Sequence, residues 1–147
     1  MKKFNFSLEK VLQLRKFSEE ENKMALGLAI SVLNEVENKI KETAFKHHHA
    51  ASERFRDPTQ MIMWNNYIIR LEQEKEALLE KAVQAEIIVE EKRSLYMEAF
   101  KELKAIEKLK EKKEKKYRKE MSEKESAEVD ELFASRQNFK ETQAVAI

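Results

Sequence analysis

The chain has 147 residues, yet it contains one glycine, Gly27, and one proline, Pro58. Average amino-acid usage would place about ten glycines and about seven prolines in a chain of this length. Sheets and compact α/β folds need many tight turns, and tight turns draw heavily on these two residues. The scarcity of both therefore predicts an all-α fold in which long helices are seldom broken.

Composition narrows the possible function classes. Charged residues make up 39% of the chain, against roughly a quarter in average soluble proteins. Disordered chains are also rich in charge, but they lack large apolar residues at regular spacing, which this chain has. The net charge of +1 gives no strong field for nucleic acid or a lipid surface, and no apolar run approaches the roughly 18 residues that span a bilayer. We expect protein partners, no nucleic acid, no direct membrane insertion and a cytoplasmic location.

Two heptad stripes run along the chain, one on each side of a break at Asp57–Pro58. The a and d positions of the first stripe are Leu8, Leu12, Arg15, Glu19, Asn22, Leu26, Ala29, Leu33, Val36, Ile40, Thr43, His47 and Ala50. Those of the second are Ile68, Leu71, Lys75, Leu78, Ala82, Ala85, Val89, Lys92, Tyr96, Ala99, Leu103 and Ile106. Two such stripes joined by a short turn predict an antiparallel coiled-coil hairpin that forms a single domain.

The break and the flanking residues predict the helix ends. Proline disfavours helical geometry at the residue before it, so the turn is expected at about residues 57–60. Helix 1 is then expected over about residues 7–56 with Ser7 as its cap, and helix 2 over about residues 61–139 with Thr59 before it. The last residues, 140–147, are expected to form a disordered tail.

The second helix is predicted to be longer than the first. A helix of about fifty residues runs roughly 75 Å, so the start of helix 1 should lie opposite residues near 110 to 115. Roughly twenty-five residues of helix 2 would then project without a partner helix. Residues 108–119 include eight basic and two acidic residues, and residues 120–131 include six acidic and one basic. Such a helix suits a charged protein cavity, although a solvated helix held by ion pairs between successive turns would have the same composition.

No motif for catalysis, a metal or a cofactor is present. The chain has no cysteine and no glycine-rich loop, and nothing places a nucleophile beside a base. The run His47–His49 is a poor metal site, because consecutive helical residues point about 100° apart whereas helical ligation uses spacings of three or four. Arg15, Glu19 and Asn22 form a polar stretch on the first stripe, near the same end as the projecting helix, and could dock a partner.

A cluster of large apolar residues follows the break. Its members are Met61, Met63, Trp64, Tyr67, Ile68 and Leu71. It is either the local core of that end of the hairpin, closing over Phe55, or a second binding surface, since methionine beside aromatic residues is typical of interfaces.

Three segments stand out by their order along the chain. They are Phe6–Leu12, the Trp64-x-x-Tyr67 pair that opens the second helix, and Val129–Arg136 after the lysine- and glutamate-rich stretch. Together they resemble the FliJ family of bacterial flagellar type III export proteins, over almost the whole chain. The resemblance implies a non-enzymatic, stalk-like coiled coil without a cofactor, peripherally associated with the membrane-embedded export apparatus. It implies three partners: the hexameric flagellar export ATPase, whose assembly and activity the protein promotes, the export-gate membrane protein, and export chaperones, which it exchanges.

Binding residues can be assigned on this basis. Those assigned to the ATPase ring are Arg15, Glu19, Tyr117, Arg118, Asp130, Glu131 and Arg136, of which the last three match the end of the family's long helix. Those assigned to the export gate or another partner are Trp64, Tyr67, Ile68 and Leu71, of which Tyr67 and Leu71 match the family's gate-contacting part. Two alternatives stay open: a self-associating coiled-coil scaffold, and the equivalent stalk of a virulence type III secretion system.

Overall fold

The computed structural model describes residues 2–53 and 57–145. Within these residues it contains two helices and no strand: α1 spans Glu9–Ser52 and α2 spans Pro58–Val145. The predicted all-α fold is confirmed. The helix bounds differ from those predicted, because α1 starts after Ser7 and ends at Ser52, while α2 starts at Pro58 and continues past residue 139 to Val145.

The residues that start the two helices are not the ones predicted. Before α2, the Asp57 carboxylate accepts a hydrogen bond from the backbone N–H of Thr59, at 3.1 Å. Asp57 therefore caps the helix instead of Thr59, and Pro58 occupies the first helical position, where its missing N–H costs nothing. Before α1, the backbone N–H of Glu9 donates to the carbonyl of Phe6, so a backbone turn precedes the helix and Ser7 lies inside that turn.

The chain forms two compact units. The first combines the segment before Arg15 with α2 from Leu103 onward, and the second comprises Arg15–Glu102. The core of the first unit is formed by Phe6, Leu12 and Leu103, with Phe4, Leu8, Ile106 and Leu109 packed against them. In the second unit the buried side chains are those of Thr43, Ala50, Leu71, Leu78, Ala85, Val89 and Ala99.

Both predicted heptad stripes are confirmed. Every a and d residue predicted on the first stripe is buried or half-buried, and so is every one predicted on the second stripe from Ile68 to Ile106. Each helix buries only one face, because in a pair of helices each can cover only one face of the other. For the same reason many large apolar side chains remain exposed, among them Phe17, Met24 and Leu28 on α1.

Candidate partner-binding surfaces

The N-terminal residues of the first unit pack along α2. The Phe6 side chain is only 5% exposed, and the Phe4 ring lies 5.5 Å from the ring of Tyr117, centre to centre. The Tyr117 hydroxyl donates a hydrogen bond to the backbone carbonyl of Lys2. Tyr117, predicted to contact the ATPase ring, therefore belongs to the packed part of this unit. The unpaired helix begins later than the 110–115 region from which it was expected.

Charged side chains reinforce this packing. The Lys110 ammonium lies 2.9 Å from the Glu9 carboxylate, and the Lys113 ammonium lies 5.8 Å from the centre of the Phe6 ring. Arg118, which was also assigned to the ring, pairs with Glu114 one turn earlier on the same helix, at 3.0 Å. Such exposed pairs contribute little stability and leave the arginine available to a partner.

After Met121 no other described residue of the first unit covers α2. Every residue from Ser122 to Val145 is exposed, and we call this stretch the overhang. Asp130, Glu131 and Arg136 lie in it, as predicted from the charge pattern and the resemblance, and none of the three forms an ion pair with another described residue. These three residues are therefore free for intermolecular contacts.

The overhang also carries an apolar stripe that the sequence analysis did not identify. Its members are Val129, Leu132, Phe133 and Phe139, which are 63% to 69% exposed. The first three recur at spacings of three and four residues, so they share one helix face with Arg136. These residues lie off the heptad register continued from the second predicted stripe, which places Glu131, Ala134 and Asn138 at its a and d positions. The spacing of Val129, Leu132 and Phe133 could nevertheless have revealed the stripe. The stripe gives the overhang an exposed apolar face beside its charges.

Arg15 and Glu19 lie in the second unit, on the seam between α1 and α2. The Arg15 guanidinium forms an ion pair with the Glu102 carboxylate across that seam. Glu19 is half-buried at its predicted a position. Arg15 therefore already has an intramolecular partner, and both residues contribute to helix pairing, whatever else they contact.

The other end of the second unit is held together by Trp64. Its indole N–H donates to the carbonyl of Ala50 at 2.6 Å, in the last turn of α1, and the same carbonyl also accepts from the backbone N–H of Glu53 at 3.3 Å. The ring lies 5.4 Å from that of Tyr67, and the Leu71 side chain is only 4% exposed. Trp64 and Leu71 therefore hold the two helices together, which leaves little of Leu71 for a partner. Phe55, over which this cluster was predicted to close, lies outside the described residues.

The exposed apolar residues at this end are different ones. They are Met61, Ile62, Met63 and Ile69, and we call them the tip patch. A shallow groove lies beside the patch, lined by Ala50, Ala51, Glu53, Met61, Trp64, Asn65 and Ile68. Met61 and Met63 belong to the cluster predicted from the sequence, whereas Ile62 and Ile69 do not, because they fall between the heptad positions and point away from the seam. Any partner at this end would meet the tip patch before Leu71.

One residue of the His47–His49 run has a structural role. His47 lies on the seam, where its Nε2 is 3.2 Å from the Glu72 carboxylate. Within residues 2–53 and 57–145, no group of three or more histidine, cysteine or acidic side chains is arranged to hold a metal ion. Neither helix, over the same residues, has a stretch long and apolar enough to cross a membrane.

Comparison with known proteins identifies the family. No curated protein and no solved structure gives a significant match to this chain. The family model described as the flagellar FliJ protein matches residues 4–143, which is nearly the whole chain and includes both helices. The chain therefore belongs to the FliJ family of flagellar export apparatus components.

Proposed function

We propose that this chain is the stalk of the flagellar export ATPase, a coiled coil that enters the hexameric ring, promotes its assembly and activity, and links it to the export gate. The observation that supports this most strongly is the overhang. Among residues 2–53 and 57–145, nothing packs against this helix, yet it carries an apolar stripe and free charges. Family membership indicates the flagellar system instead of its virulence counterpart.

The stalk would promote ring assembly by contacting several ATPase subunits at the same time. A helix in the centre of a ring touches several subunits at once, and it does so only when the ring is closed. Because it binds the closed hexamer better than dispersed subunits, it shifts the assembly equilibrium towards the hexamer. Asp130, Glu131 and Arg136 supply polar contacts that can be exchanged between equivalent subunits, while Val129, Leu132 and Phe133 supply affinity.

The first experiment removes the overhang. Full-length chain and a version ending at Met121 are added to the matching export ATPase, and both hexamer formation and ATP hydrolysis are measured. We expect the shortened chain to lose the stimulation, and a full-length variant with serine at Val129, Leu132 and Phe133 to lose most of it. Met63→Ser, at the other end of α2, is the matched control and should stimulate normally. Full stimulation by the shortened chain would show that the overhang is not the ring-binding part.

The tip patch is the proposed contact for the export gate, and for export chaperones that the protein exchanges. Its methionine and isoleucine side chains are exposed, unlike Leu71, and they adjoin the groove beside Trp64. Methionine adapts to differently shaped partners, which suits a surface that serves more than one. A variant with serine at Ile62, Met63 and Ile69 should lose co-purification with the cytoplasmic part of the gate protein. It should still stimulate the ATPase, and retained gate binding would exclude the patch as the contact.

A scaffold role is the second candidate, because α1 has an exposed apolar stripe of its own. Phe17, Met24 and Leu28 are at spacings of seven and four, so they share one face, and all are well exposed. Self-association through such a face would survive about 0.5 M salt, since it is not electrostatic. Light scattering at that ionic strength separates the two candidates: a stalk should be monomeric without its ring, and a scaffold should form stable dimers or larger species.

A further inference from the structure

The charges of α2 change sign abruptly between Lys119 and Glu120. Residues 108–119, which we call the basic block, include eight basic and two acidic residues. Residues 120–131, the acidic block, include six acidic residues and one basic residue. Both blocks lie in the first unit, on one uninterrupted helix, and they have equal lengths. A second copy of this helix running in the opposite direction would therefore present acidic residues opposite the basic block and basic residues opposite the acidic block.

Intramolecular pairing leaves most of these charges unused. In the basic block Lys115 and Arg118 pair with Glu111 and Glu114 on the same helix, and Lys110 pairs with Glu9. Lys112, Lys116 and Lys119 are exposed, and no ion pair joins them to another described residue.

The acidic block has even fewer intramolecular ion pairs. None of its carboxylates forms an ion pair among residues 2–53 and 57–145. Glu120, Glu123 and Glu128 are all exposed. The surplus charges of the two blocks are opposite in sign and point outward.

We propose that the occupant of this surface, when the chain is free of its partners, is the same surface of a second copy, aligned antiparallel. Each block is roughly 18 Å long, so a two-fold axis between Lys119 and Glu120 sets each basic block against the acidic block of the other copy. In that register Lys119 faces Glu120, and Lys116 faces Glu123. A parallel alignment sets like against like and is disfavoured. Charge complementarity thus selects both the partner and the direction.

The pairing is reversible. The two blocks contain few large apolar side chains, so attraction depends on exposed charges, which salt screens. Pairing covers Asp130 and Glu131 of each copy, so a paired chain cannot present them to another protein. Self-pairing is thus a competitor of ring entry, and it is a property of the chain alone that can be tested without any ATPase.

Direction is tested by crosslinking, for which the chain is well suited because it has no cysteine. Lys108→Cys and Ser122→Cys are two heptads apart, so they share one helix face, and both positions are exposed. In the antiparallel pair the two copies of residue 122 are separated by roughly 8 Å along the axis, and the two copies of residue 108 by roughly 35 Å. A short bis-maleimide reagent should therefore crosslink Ser122→Cys and leave Lys108→Cys monomeric. Equal crosslinking of both variants would indicate a parallel pair and overturn the proposal, as would crosslinking of neither.

Charge complementarity is tested by reversal and mixing. One full-length variant carries lysine at Glu120, Glu123 and Glu131, and the other carries glutamate at the residues that face them, Lys119, Lys116 and Lys108. Each alone should be monomeric by light scattering at about 50 mM salt, where screening is weak. An equimolar mixture should recover a dimer, which shows that each variant remains folded and that opposite charge is what binds.

Salt provides the final comparison. The unmodified chain should dimerise at least ten times more tightly at about 50 mM than at about 500 mM salt. Self-association that is unchanged by salt, or that persists in either reversed variant alone, would assign it to an apolar face and refute the pairing of the blocks.

Discussion

Two stretches of α2 have apolar residues at similar spacings, but one stretch is buried and the other is exposed. From Ile68 to Ile106, residues at alternating spacings of three and four are buried or half-buried against α1. From Ser122 to Val145, apolar residues again recur at these spacings, and all of them are exposed. Periodicity defines an apolar face on a helix, but it does not say what covers the face. Where no second helix lies alongside, the face stays exposed, and only another molecule can cover it.

The largest expected effect is on the free energy of unfolding, and it distinguishes two leucines. Leu12, only 2% exposed, contacts the core of the first unit, whereas Leu132 lies on the overhang. Leu12→Ala should lower the free energy of unfolding by about 2 to 5 kcal/mol, because the cavity is added to the lost burial. Leu132→Ala should change it by less than about 0.5 kcal/mol. Denaturant titration followed by circular dichroism measures both, and a comparable loss in Leu132→Ala would mean that the overhang is packed in solution.

A smaller effect is expected at Trp64. Trp64→Phe keeps an aromatic ring but removes the donor that bonds the Ala50 carbonyl, so we expect a loss of about 1 kcal/mol or slightly more. The measurement is the thermal unfolding midpoint, with Met63→Ser at the adjacent exposed position as the control. If both variants unfold at the wild-type midpoint, the Trp64 hydrogen bond does not stabilise the pairing of the helices and the packed region ends nearer Leu71.

Tyr117 marks the boundary between the covered and uncovered parts. Tyr117→Phe loses the hydrogen bond to the Lys2 carbonyl and retains the ring against Phe4. The bond is exposed, so a loss of about 0.5 kcal/mol is expected. Amide hydrogen exchange of residues 4–8 is the more sensitive readout, and it should accelerate in the variant while exchange in the overhang stays the same. Unchanged exchange in both segments would move the boundary towards Leu109.

The smallest effect concerns the ion pair of Arg15 with Glu102. Both side chains are partly exposed, so a double-mutant cycle with alanine at each position should give a coupling of about 0.2 to 1 kcal/mol, and less in high salt. The Glu114–Arg118 pair gives a matched cycle within one helix. A coupling well above this range would make Arg15 a main determinant of helix register.

The sequence was sufficient for the two seams, because burial of one stripe on each helix is a local, periodic property that composition and spacing reveal. It was not sufficient for contacts that join distant residues without a period. The N-terminal residues Phe4 and Phe6 reach Tyr117 and Leu103, and no spacing relates such pairs.

The ends of the helices were misplaced for another reason. Ser7 and Thr59 are both suitable caps by residue type, and the choice of Asp57 over Thr59 depends on which residue lies directly before the proline at the first helical position. The apolar stripe of the overhang was missed because its residues lie off the register continued from the second stripe, and the tip patch was missed because two of its members lie off the seam.

The bond between Trp64 and Ala50 also has a spectroscopic consequence. Trp64 is the single tryptophan of the chain, so its fluorescence emission reports one place only, the contact of α2 with the last turn of α1. Separation of the helices there would expose the indole to water and shift the emission to longer wavelength, without any added dye. Binding at the overhang, in the other unit, would leave the signal unchanged, so a titration with each candidate partner assigns that partner to one end of α2.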